Sequence, residues 1–448
     1  MGDFLFLLMY LTLMALVVFV PRMLSRFHVP AVVAVMITGI IIGPNAFDLL
    51  GLLSKTIDGA YSAHELMTVI RAFGLLGLVF LMALAGMEVD LRMLSLEKRA
   101  VTLLSILTFA IPSVAGYYIY EWFRPDDVVG KWVYASLFAS HSVGIVFPVI
   151  RELGVTRTRF GISVLSATVI TDILSLVMLA ASIQYKKFQD GADAGIQSFS
   201  IFDRIDFTGI SNWFTPIYLA VIFLFIGLCI WIIPMIWKRI SEKISAGDDM
   251  QVTFFLLAVL IVVVCGEFLG VNLIVGAFIA GLAVVRSKGF ADRGRILQHK
   301  LEGIGFGLMI PFLFLMIGMD CNPGVLVKTW DNVMIAIFTV IGLVASKVFS
   351  GWLAMRLSGF TNMKGICAGL MTVPQLSATL AAAAVALQLK ILDESFFNAI
   401  VVLSMITTIP VPTLVRFLIS RYNITFDHVG VPDDRRAEVS LPRPVDIP

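Results

Sequence analysis

One carboxylate stands alone in a long apolar stretch of this sequence. Asp172 lies in VLSATVITDILSLVMLAAS, about twelve residues into an apolar segment. An ionised carboxylate far from water is unfavourable, so it must be protonated, bound to an ion, or locked in a static helix–helix hydrogen bond. Because burial penalises the charged form, protons and cations can compete for such a group near neutral pH. That competition is sufficient chemistry for an exchange of ions.

A lysine occupies a similar position. Lys347 lies in the middle of TVIGLVASKVFSGWLAMR, where an isolated ammonium is as unfavourable as an isolated carboxylate. It is expected to be a partner or neighbour of Asp172. Three roles are open: it releases a proton when a cation arrives, it balances charge in the empty site, or it forms a static salt bridge.

Two further apolar segments are interrupted by polar residues and proline. The first reads LFASHSVGIVFPVIRELG and carries Ser140, His141, Ser142, Gly144 and Pro148. The second reads AGLMTVPQLSATLAAAA and carries Thr372, Pro374, Gln375, Ser377 and Thr379. Such segments are typical of broken helices, whose freed carbonyls, hydroxyls and helix ends bind a dehydrated alkali cation. Ordinary proline kinks are the alternative. His141 either tunes a pH response or is a neutral ring that donates to a carbonyl.

The surroundings of these residues are those of a membrane protein. The 448 residues are 59% hydrophobic and 14% charged, whereas soluble domains average roughly 25% charged residues. Since a spanning helix needs about 20 apolar residues, the pattern predicts thirteen spans. The predicted segments are roughly 4–21, 29–43, 65–88, 99–121, 130–151, 160–184, 213–237, 250–267, 271–286, 300–320, 329–356, 361–387 and 395–419.

Charge and internal similarity order these segments. With the N-terminus outside and the C-terminus in the cytoplasm, most of the 33 lysines and arginines fall on the inner side, as the positive-inside rule requires. Apart from basic residues near the segment ends, only Arg71 and Lys347 then lie inside segments. Segment 3 ends in FLMALAGMEVD and segment 10 in FLFLMIGMDCN, seven spans apart and therefore oppositely oriented. This pattern predicts an all-α membrane protein with two inverted six-helix repeats joined by segment 7.

Several other classes of protein are disfavoured. The net charge of +2 gives no indication of a nucleic-acid partner. A channel needs a continuous polar pore, which one carboxylate and one lysine do not provide. The scattered histidines and the four cysteines show no metal-ligand spacing, so we expect neither an enzyme nor a cofactor. A sodium-coupled symporter of a small solute stays open as the alternative, although no second intramembrane acid is evident.

At these motifs the sequence resembles the monovalent cation:proton antiporter superfamily, in the branch that contains bacterial sodium/proton exchangers and glutathione-gated potassium efflux systems. The resemblance covers about residues 1–420. It is carried by HVPAVVAVMITGIIIGPNAFDLLG, LVFLMALAGMEVDLRML, GVNLIVGAFIAGLAV, FLFLMIGMDC and the stretch from His141 to Val177.

The resemblance implies a scaffold that dimerises and a mobile core that slides against it, with segments 5 and 12 unwound and crossing. The implied divisions are scaffold 1–98, core 99–190, linker 191–245, scaffold 246–325, core 326–421 and cytoplasmic tail 422–448. Asp172 matches the essential second carboxylate of a pair, and Lys347 matches the core lysine of the eleventh helix.

The sequence departs from the family pattern at the site itself. Thr171 stands where the family has the first carboxylate of the pair. In relatives, a neutral residue at this position accompanies electroneutral exchange. The threonine also leaves Lys347 without its usual acidic partner. His141 replaces a common Thr. Segment 12 carries Pro374-Gln375-Leu376-Ser377 where many relatives have an Arg-Gly-Glu run. The tail is too short for the nucleotide-binding domain of the potassium efflux relatives.

These observations predict an antiporter of the cell membrane that exchanges Na⁺ or K⁺ for H⁺ by elevator-type alternating access. Asp172 is expected to bind the metal cation and the proton in turn. The neighbouring polar residues expected at the site are Thr171, Ser142, His141 and Ser140, with Lys347 as basic partner and Thr372, Gln375 and Ser377 on the second interrupted helix.

Overall fold

The computed structural model describes residues 2–24, 26, 30–48, 51, 63–87, 97–142, 145–146, 149–150, 153–156, 158–190, 201, 211–241, 250–271, 273–285, 297–408 and 410–426. The regular elements in these residues are helices. They are α1 Gly2–Leu24, α2 Ala31–Ile42, α3 Ala63–Met87, α4 Lys98–Phe123, α5 Val128–Ala139, α6 Arg159–Asp190, α7 Ser211–Ser241, α8 Met250–Phe268, α9 Leu273–Val285, α10 Ile310–Asp320, α11 Pro323–Lys328, α12 Trp330–Leu357, α13 Asn362–Met371, α14 Ser377–Gln388, α15 Glu394–Thr408 and α16 Pro410–Arg421. A further helical stretch, residues 297–304, and a π-helical turn, Gly305–Met309, precede α10.

The helices fit the predicted membrane segments. Within the described residues, eight helical stretches are long and apolar enough to cross a membrane, and five shorter apolar helices accompany them. Each of the thirteen predicted segments overlaps one of these helices. The prediction of an all-α membrane protein is confirmed, whereas the number of thirteen crossings stays a prediction.

One group of helices packs through small residues. α2 contacts α10, α3 contacts both α9 and α10, α8 contacts α9, and α1 contacts α2. At the α2–α10 crossing, a Cβ built on Gly39 would collide with the Leu315 carbonyl, and one on Gly318 with the Met36 carbonyl. Because lipid tails are as apolar as leucine, helices in a bilayer associate where small residues allow close backbone packing.

A second group surrounds the interrupted segments. α4 packs against α5, α6 and α12, and α12 packs against α13 and α15. At the α12–α13 crossing, a Cβ on Gly351 would collide with the backbone of Gly369. The hydroxyl groups of Tyr134 and Thr339 lie 2.5 Å apart and join α5 to α12. α7 contacts members of both groups, α9 in the first and α6 in the second.

Candidate functional site

The first interruption follows α5. Asp127 caps the start of this helix, where its carboxylate accepts a hydrogen bond of 2.8 Å from the Gly130 N–H. The helix ends at Ala139 because Ser140 takes an extended conformation, with φ −61° and ψ 163°. The non-helical residues 140–142 are buried, and helical backbone is seen again at 145–146. Gly144 and Pro148 lie outside the described residues.

The second interruption separates α13 from α14. α13 begins at the Thr361 cap and ends at Met371, and Thr372 donates a hydrogen bond of 2.7 Å back to the Gly369 carbonyl. Residues 373–376 are non-helical and buried. Pro374 lacks an N–H, so it cannot continue the hydrogen-bond ladder of α13. The predicted breaks in both segments are therefore confirmed. The side chain of Ser377 lies outside the described part.

Gln375 joins the two interruptions. Its Nε2 donates to the Ser140 carbonyl at 2.7 Å, and its Oε1 accepts from the Ser140 hydroxyl at 3.0 Å. Thr379 completes this cluster, because its hydroxyl contacts the Gln375 Oε1 and lies 2.5 Å from the Ser140 hydroxyl. All three side chains are buried, so their polar groups are satisfied by one another rather than by water.

Asp172 lies on α6 beside the first interruption. Its carboxylate Oδ1 accepts a hydrogen bond of 2.7 Å from the backbone N–H of His141. The side chain is 5% exposed. This is the one hydrogen bond that the described residues donate to the carboxylate. An acidic side chain with so few fixed partners retains capacity to bind a proton or a cation.

Lys347, on α12, reaches the same interruption and is fully buried. Its Nζ donates to the carbonyls of Ala139 at 2.7 Å and Ser140 at 2.8 Å, and lies 3.3 Å from the His141 Nε2. Among the described residues, no ion pair within 4.0 Å joins Lys347 to Asp172. The lysine is therefore a neighbour of the carboxylate, and it binds the carbonyls at the end of α5 instead.

His141 lies between these two ionisable groups. Its backbone binds Asp172, its Nε2 faces Lys347, and its Nδ1 contacts the Thr171 hydroxyl. The Thr171 hydroxyl also lies 2.9 Å from the Ala167 and Thr168 carbonyls of its own helix. The expectation that the ring donates to a carbonyl is wrong: its two nitrogens meet a hydroxyl group and an amine.

Ser142 adds an unpaired oxygen to the site. Its side chain is 1% exposed, and its hydroxyl has no hydrogen-bond partner among the described residues. A buried hydroxyl without a partner is unfavourable unless a ligand or water binds it. Carbonyl, hydroxyl and carboxylate oxygens are the groups that replace the hydration shell of an alkali cation.

The family of the chain follows from comparison with known proteins. A family model described as sodium/hydrogen exchanger, transmembrane, matches residues 12–420. This chain belongs to the sodium/hydrogen exchanger family. The match spans both interruptions and Asp172, so the site described above lies within the family's own membrane domain.

Three curated relatives of this exchanger are similar to it over 90% or more of their own length. It is 32% identical over 409 residues to the probable Na⁺/H⁺ antiporter 3 of Methanocaldococcus jannaschii, which covers 91% of this chain and 95% of the relative. It is 26% identical over 395 residues to the Na⁺/H⁺-K⁺ antiporter GerN of Bacillus cereus, covering 88% of this chain and 90% of the relative. An Na⁺/H⁺ antiporter of Enterococcus hirae is 22% identical, covering 88% and 92%.

Solved structures show the same fold. The exchanger is similar to the sodium proton antiporter MjNhaP1 from Methanocaldococcus jannaschii at pH 8, with a TM-score of 0.60 and 14% identity. That match covers 94% of this chain and 98% of the other. A second MjNhaP1 structure gives a TM-score of 0.64 with 15% identity, covering 93% and 98%. The predicted sodium/proton antiporter fold is confirmed.

One buried amide of the exchanger escaped the sequence analysis. Asn398, fully buried on α15, accepts from the Asn322 N–H at 2.9 Å and donates to the Asn322 carbonyl at 3.1 Å. Asn322 lies just after α10, where the chain leaves one helix group for the other. The sequence feature that could have revealed Asn398 is that it is the single amide in the apolar run FFNAIVVLS, because a buried amide needs hydrogen-bond partners.

Other ionisable groups lie away from the site. Arg71, the other basic residue inside a predicted segment, is 58% exposed and lies 3.8 Å from Asp320. In the described part of the chain, no group of three or more His, Cys, Asp or Glu residues is arranged to hold a metal ion. The oxygen groups around Asp172 are thus the described features that fit a cation.

Proposed function

We propose that this protein is a secondary active antiporter that exchanges a monovalent cation, Na⁺ or K⁺, for H⁺. The observation that supports this proposal is the single carboxylate of Asp172, which is buried beside the interruption that follows α5 in a chain of the sodium/hydrogen exchanger family. A carboxylate in this position binds either one proton or one cation, and the two compete. Competition for one group couples the downhill flow of one ion to the uphill flow of the other.

The proposed cation ligands are the Asp172 carboxylate, the unpaired Ser142 hydroxyl and the carbonyls at the end of α5. Lys347 occupies those carbonyls in this structure. Its ammonium group therefore acts as a tethered cation that fills the empty site and leaves when an alkali cation arrives. Gln375 and Thr379 hold the two interruptions together, so that the ligands keep their spacing.

Exchange further requires that the site faces each side of the membrane in turn. We propose a scaffold of residues 1–98 and 246–325, which carries the dimer interface, and a mobile core of residues 99–190 and 326–421. The packing supports this division, since α1–α3 and α8–α10 contact one another, as do α4–α6 and α12–α16. Sliding of the core against the scaffold carries Asp172 from one side to the other.

The stoichiometry proposed is one cation per proton, because Thr171 offers no second titrating charge beside Asp172. The protein is a multi-pass membrane protein, and we place it in the cell membrane with the N-terminus outside and the C-terminus in the cytoplasm. Exposed aromatic residues gather where α4 ends and α12 begins, as at a membrane interface: Tyr118, Trp122 and Trp330. The relatives named above are antiporters and give no support to the alternative of sodium-coupled symport.

Proton flux in proteoliposomes tests this function. An internal pH dye reports the response to pulses of sodium, potassium and lithium, with and without a clamped membrane potential. The expected result is a cation-triggered pH change that the clamp does not alter. The cation that produces this change is the substrate. A protein that responds to none of the three cations is not an antiporter of alkali cations, and that result would favour the symporter.

A further inference from the structure

An apolar groove lies on the surface of the protein where α12 crosses α13. It has a volume of about 480 Å³ and is lined by Val344, Ala345, Val348, Phe349, Trp352 and Ile366. All but the last belong to α12, where spacings of three and four residues put them on one face of the helix. Ala345 and Phe349 are exposed, so the groove opens to the surroundings rather than into the protein.

The groove has the length and the position of a lipid chain in one leaflet. Val344 lies near the middle of α12, and Trp352 lies near its end. The distance from Val344 to Trp352 is about 12 Å along a helix, and half of the hydrocarbon core measures about 15 Å. The groove thus extends from the centre of the bilayer towards one interface, which the proposed topology places on the cytoplasmic side.

The interfacial end of the groove is polar. The Trp352 Nε1 donates to the Asn362 Oδ1 at 3.3 Å, and the Trp352 ring lies 5.9 Å from the Phe349 ring. Tryptophan is typical of the membrane interface because its ring is apolar and its N–H is polar. Arg356 follows Trp352 by one helical turn, in the last turn of α12, and its side chain is exposed. The apolar groove therefore leads to a guanidinium group.

This end of the groove carries positive charge that the described residues do not neutralise. Within the described part of the chain, the Arg356 guanidinium has neither a hydrogen bond nor an ion pair. Arg99, exposed on α4, donates to the Leu357 carbonyl at 3.0 Å, which adds a second guanidinium at the end of α12. Glu97, close to Arg99 in the chain, is already paired with Arg159 at 2.6 Å. An anionic group is the complement of such a place.

We propose that this groove binds a phospholipid with a net negative headgroup. One acyl chain lies along α12 from Val344 to Trp352, and the phosphate oxygens accept hydrogen bonds from Arg356. A guanidinium suits this role because its planar fork binds a phosphate through two N–H groups. A second copy of the chain is not the expected occupant, since the proposed dimer interface lies on the scaffold and α12 belongs to the core.

A bound lipid would stabilise the crossing of α12 and α13. The two helices meet through Gly351 and Gly369 at the level of the groove. The groove is lined from both helices, so a chain within it contacts both. Because α12 carries Lys347 and α13 leads into the second interruption, the lipid supports the elements that position the site. A ligand that binds the folded protein raises its Tm.

Thermal unfolding of the delipidated protein in detergent tests the headgroup. Phosphatidylglycerol is compared with phosphatidylcholine of the same acyl chains, and we expect the anionic lipid to raise the Tm at a lower concentration. In Arg356→Gln, the half-saturating concentration of phosphatidylglycerol should increase about tenfold, as for the loss of hydrogen bonds from a charged group. The matched control is Arg421→Gln, a basic residue in the last turn of α16, which should leave that concentration unchanged.

A bulky substitution tests the site of the acyl chain. Ala345→Phe fills the groove and retains Arg356, so both lipids should bind more weakly. Ile337→Phe, at a position two turns earlier that is 41% exposed and outside the groove, is the control and should bind as the wild type does. Equal half-saturating concentrations of the two lipids in the wild type would refute the proposal. So would equal responses of Arg356→Gln and Arg421→Gln. A dimer lost in Ala345→Phe alone, seen by native mass spectrometry, would assign the groove to a second copy instead.

Photocrosslinking locates the lipid on the unaltered chain. Phosphatidylglycerol with a diazirine on its acyl chain is photolysed in phosphatidylcholine vesicles that contain the wild-type protein, and the adducts are mapped by mass spectrometry. We expect adducts concentrated on residues 344–352 and Ile366, suppressed by added unlabelled phosphatidylglycerol. Adducts spread evenly over the exposed faces of α7, α8 and α12 would indicate bulk bilayer lipid and overturn the proposal. These measurements involve no ion flux, so their outcome is independent of the test of antiport.

Discussion

At the residue scale, the site holds its carboxylate and its lysine on separate partners. The Asp172 carboxylate accepts a hydrogen bond from the backbone N–H of His141. Lys347 donates to the carbonyls of Ser140 and Ala139, one and two residues before His141. His141 belongs to both sets of contacts. A carboxylate already locked to a lysine would have to break that pair before it could bind a cation, whereas here the carboxylate has only one fixed partner among the described residues. This separation favours a transport site over a static salt bridge.

Replacement of the carboxylate tests its role. Asp172→Asn preserves the size of the side chain and an oxygen that can accept from the His141 N–H. We therefore expect normal expression and a single peak in size-exclusion chromatography. Exchange in proteoliposomes should fall to the level of empty liposomes, because a neutral amide cannot alternate between proton and cation. Exchange at the wild-type rate in this variant would exclude Asp172 as the carrier.

Removal of the ammonium tests the contacts of Lys347. In Lys347→Ala, the Ala139 and Ser140 carbonyls lose a charged donor, so we expect the free energy of unfolding to fall by about 2 kcal/mol. Some exchange should survive, with a shifted pH profile. Thermal unfolding and flux measured side by side provide the readout, and Lys328→Ala, at an exposed helix end, is the matched control. If Lys347→Ala and Asp172→Asn lose expression equally, both groups are structural.

At the element scale, the site depends on two interrupted helices and on α6 and α12, which pass beside them. The end of α5 supplies carbonyls, the second interruption supplies Gln375, α6 supplies Asp172, and α12 supplies Lys347. Buried non-helical backbone is tolerated at membrane depth only where protein groups or a cavity satisfy it. The hydrogen bonds of Gln375 and Lys347 to the Ser140 carbonyl meet that requirement.

The crossing of α12 and α13 offers a test at this scale. Gly351 lies four residues after Lys347, and a Cβ there would lie 2.6 Å from the Gly369 nitrogen. Gly351→Ala should separate the two helices, lower the free energy of unfolding by about 1–3 kcal/mol and reduce exchange. Gly303→Ala is the matched control, because nothing lies within 4 Å of its Cβ. We expect this control to unfold at or above the wild-type Tm, and an equal effect of both substitutions would contradict the argument.

At the scale of the whole molecule, the proposed alternating access requires that the two helix groups move relative to each other. The α2–α10 and α12–α13 crossings are closely packed within each group, which favours motion of each group as a unit. Asn398 binds the backbone of Asn322 at the chain connection between the groups. In the proposed motion of the core, the hydrogen bonds between Asn398 and Asn322 either move with the core or break.

Competition at one site predicts how pH acts on the whole exchanger. Protons occupy the Asp172 carboxylate more often as pH falls, so the cation concentration needed for half-maximal exchange must rise. Where protons dominate the site, one pH unit should change this KM by about tenfold, while the maximal rate at saturating cation changes far less. Flux measured against cation concentration at several pH values checks the relation. A KM that is constant over the acidic range would indicate separate sites for the two ions.

Much of this site was open to prediction from the sequence. Asp172 and Lys347 are conspicuous because ionisable side chains within apolar segments are unfavourable, and the segments containing Ser140 and Gln375 are interrupted by residues that weaken a helix. The contacts among these residues could not be predicted from the sequence. A sequence does not record which face of α12 approaches the end of α5, so Lys347 was expected near Asp172 and its carbonyl partners were not foreseen.

The sequence by itself determined the all-α membrane class and the two helix interruptions, and it singled out the Asp172 carboxylate as the candidate carrier, because each follows from local composition and the cost of placing charge in lipid. Tertiary structure decided the pairing of donors and acceptors. His141 contacts Thr171 and Lys347, Gln375 bonds to Ser140, and Asn398 binds Asn322. The physical reason is that hydrogen bonds depend on distance and direction, which helix packing sets between residues far apart in the chain.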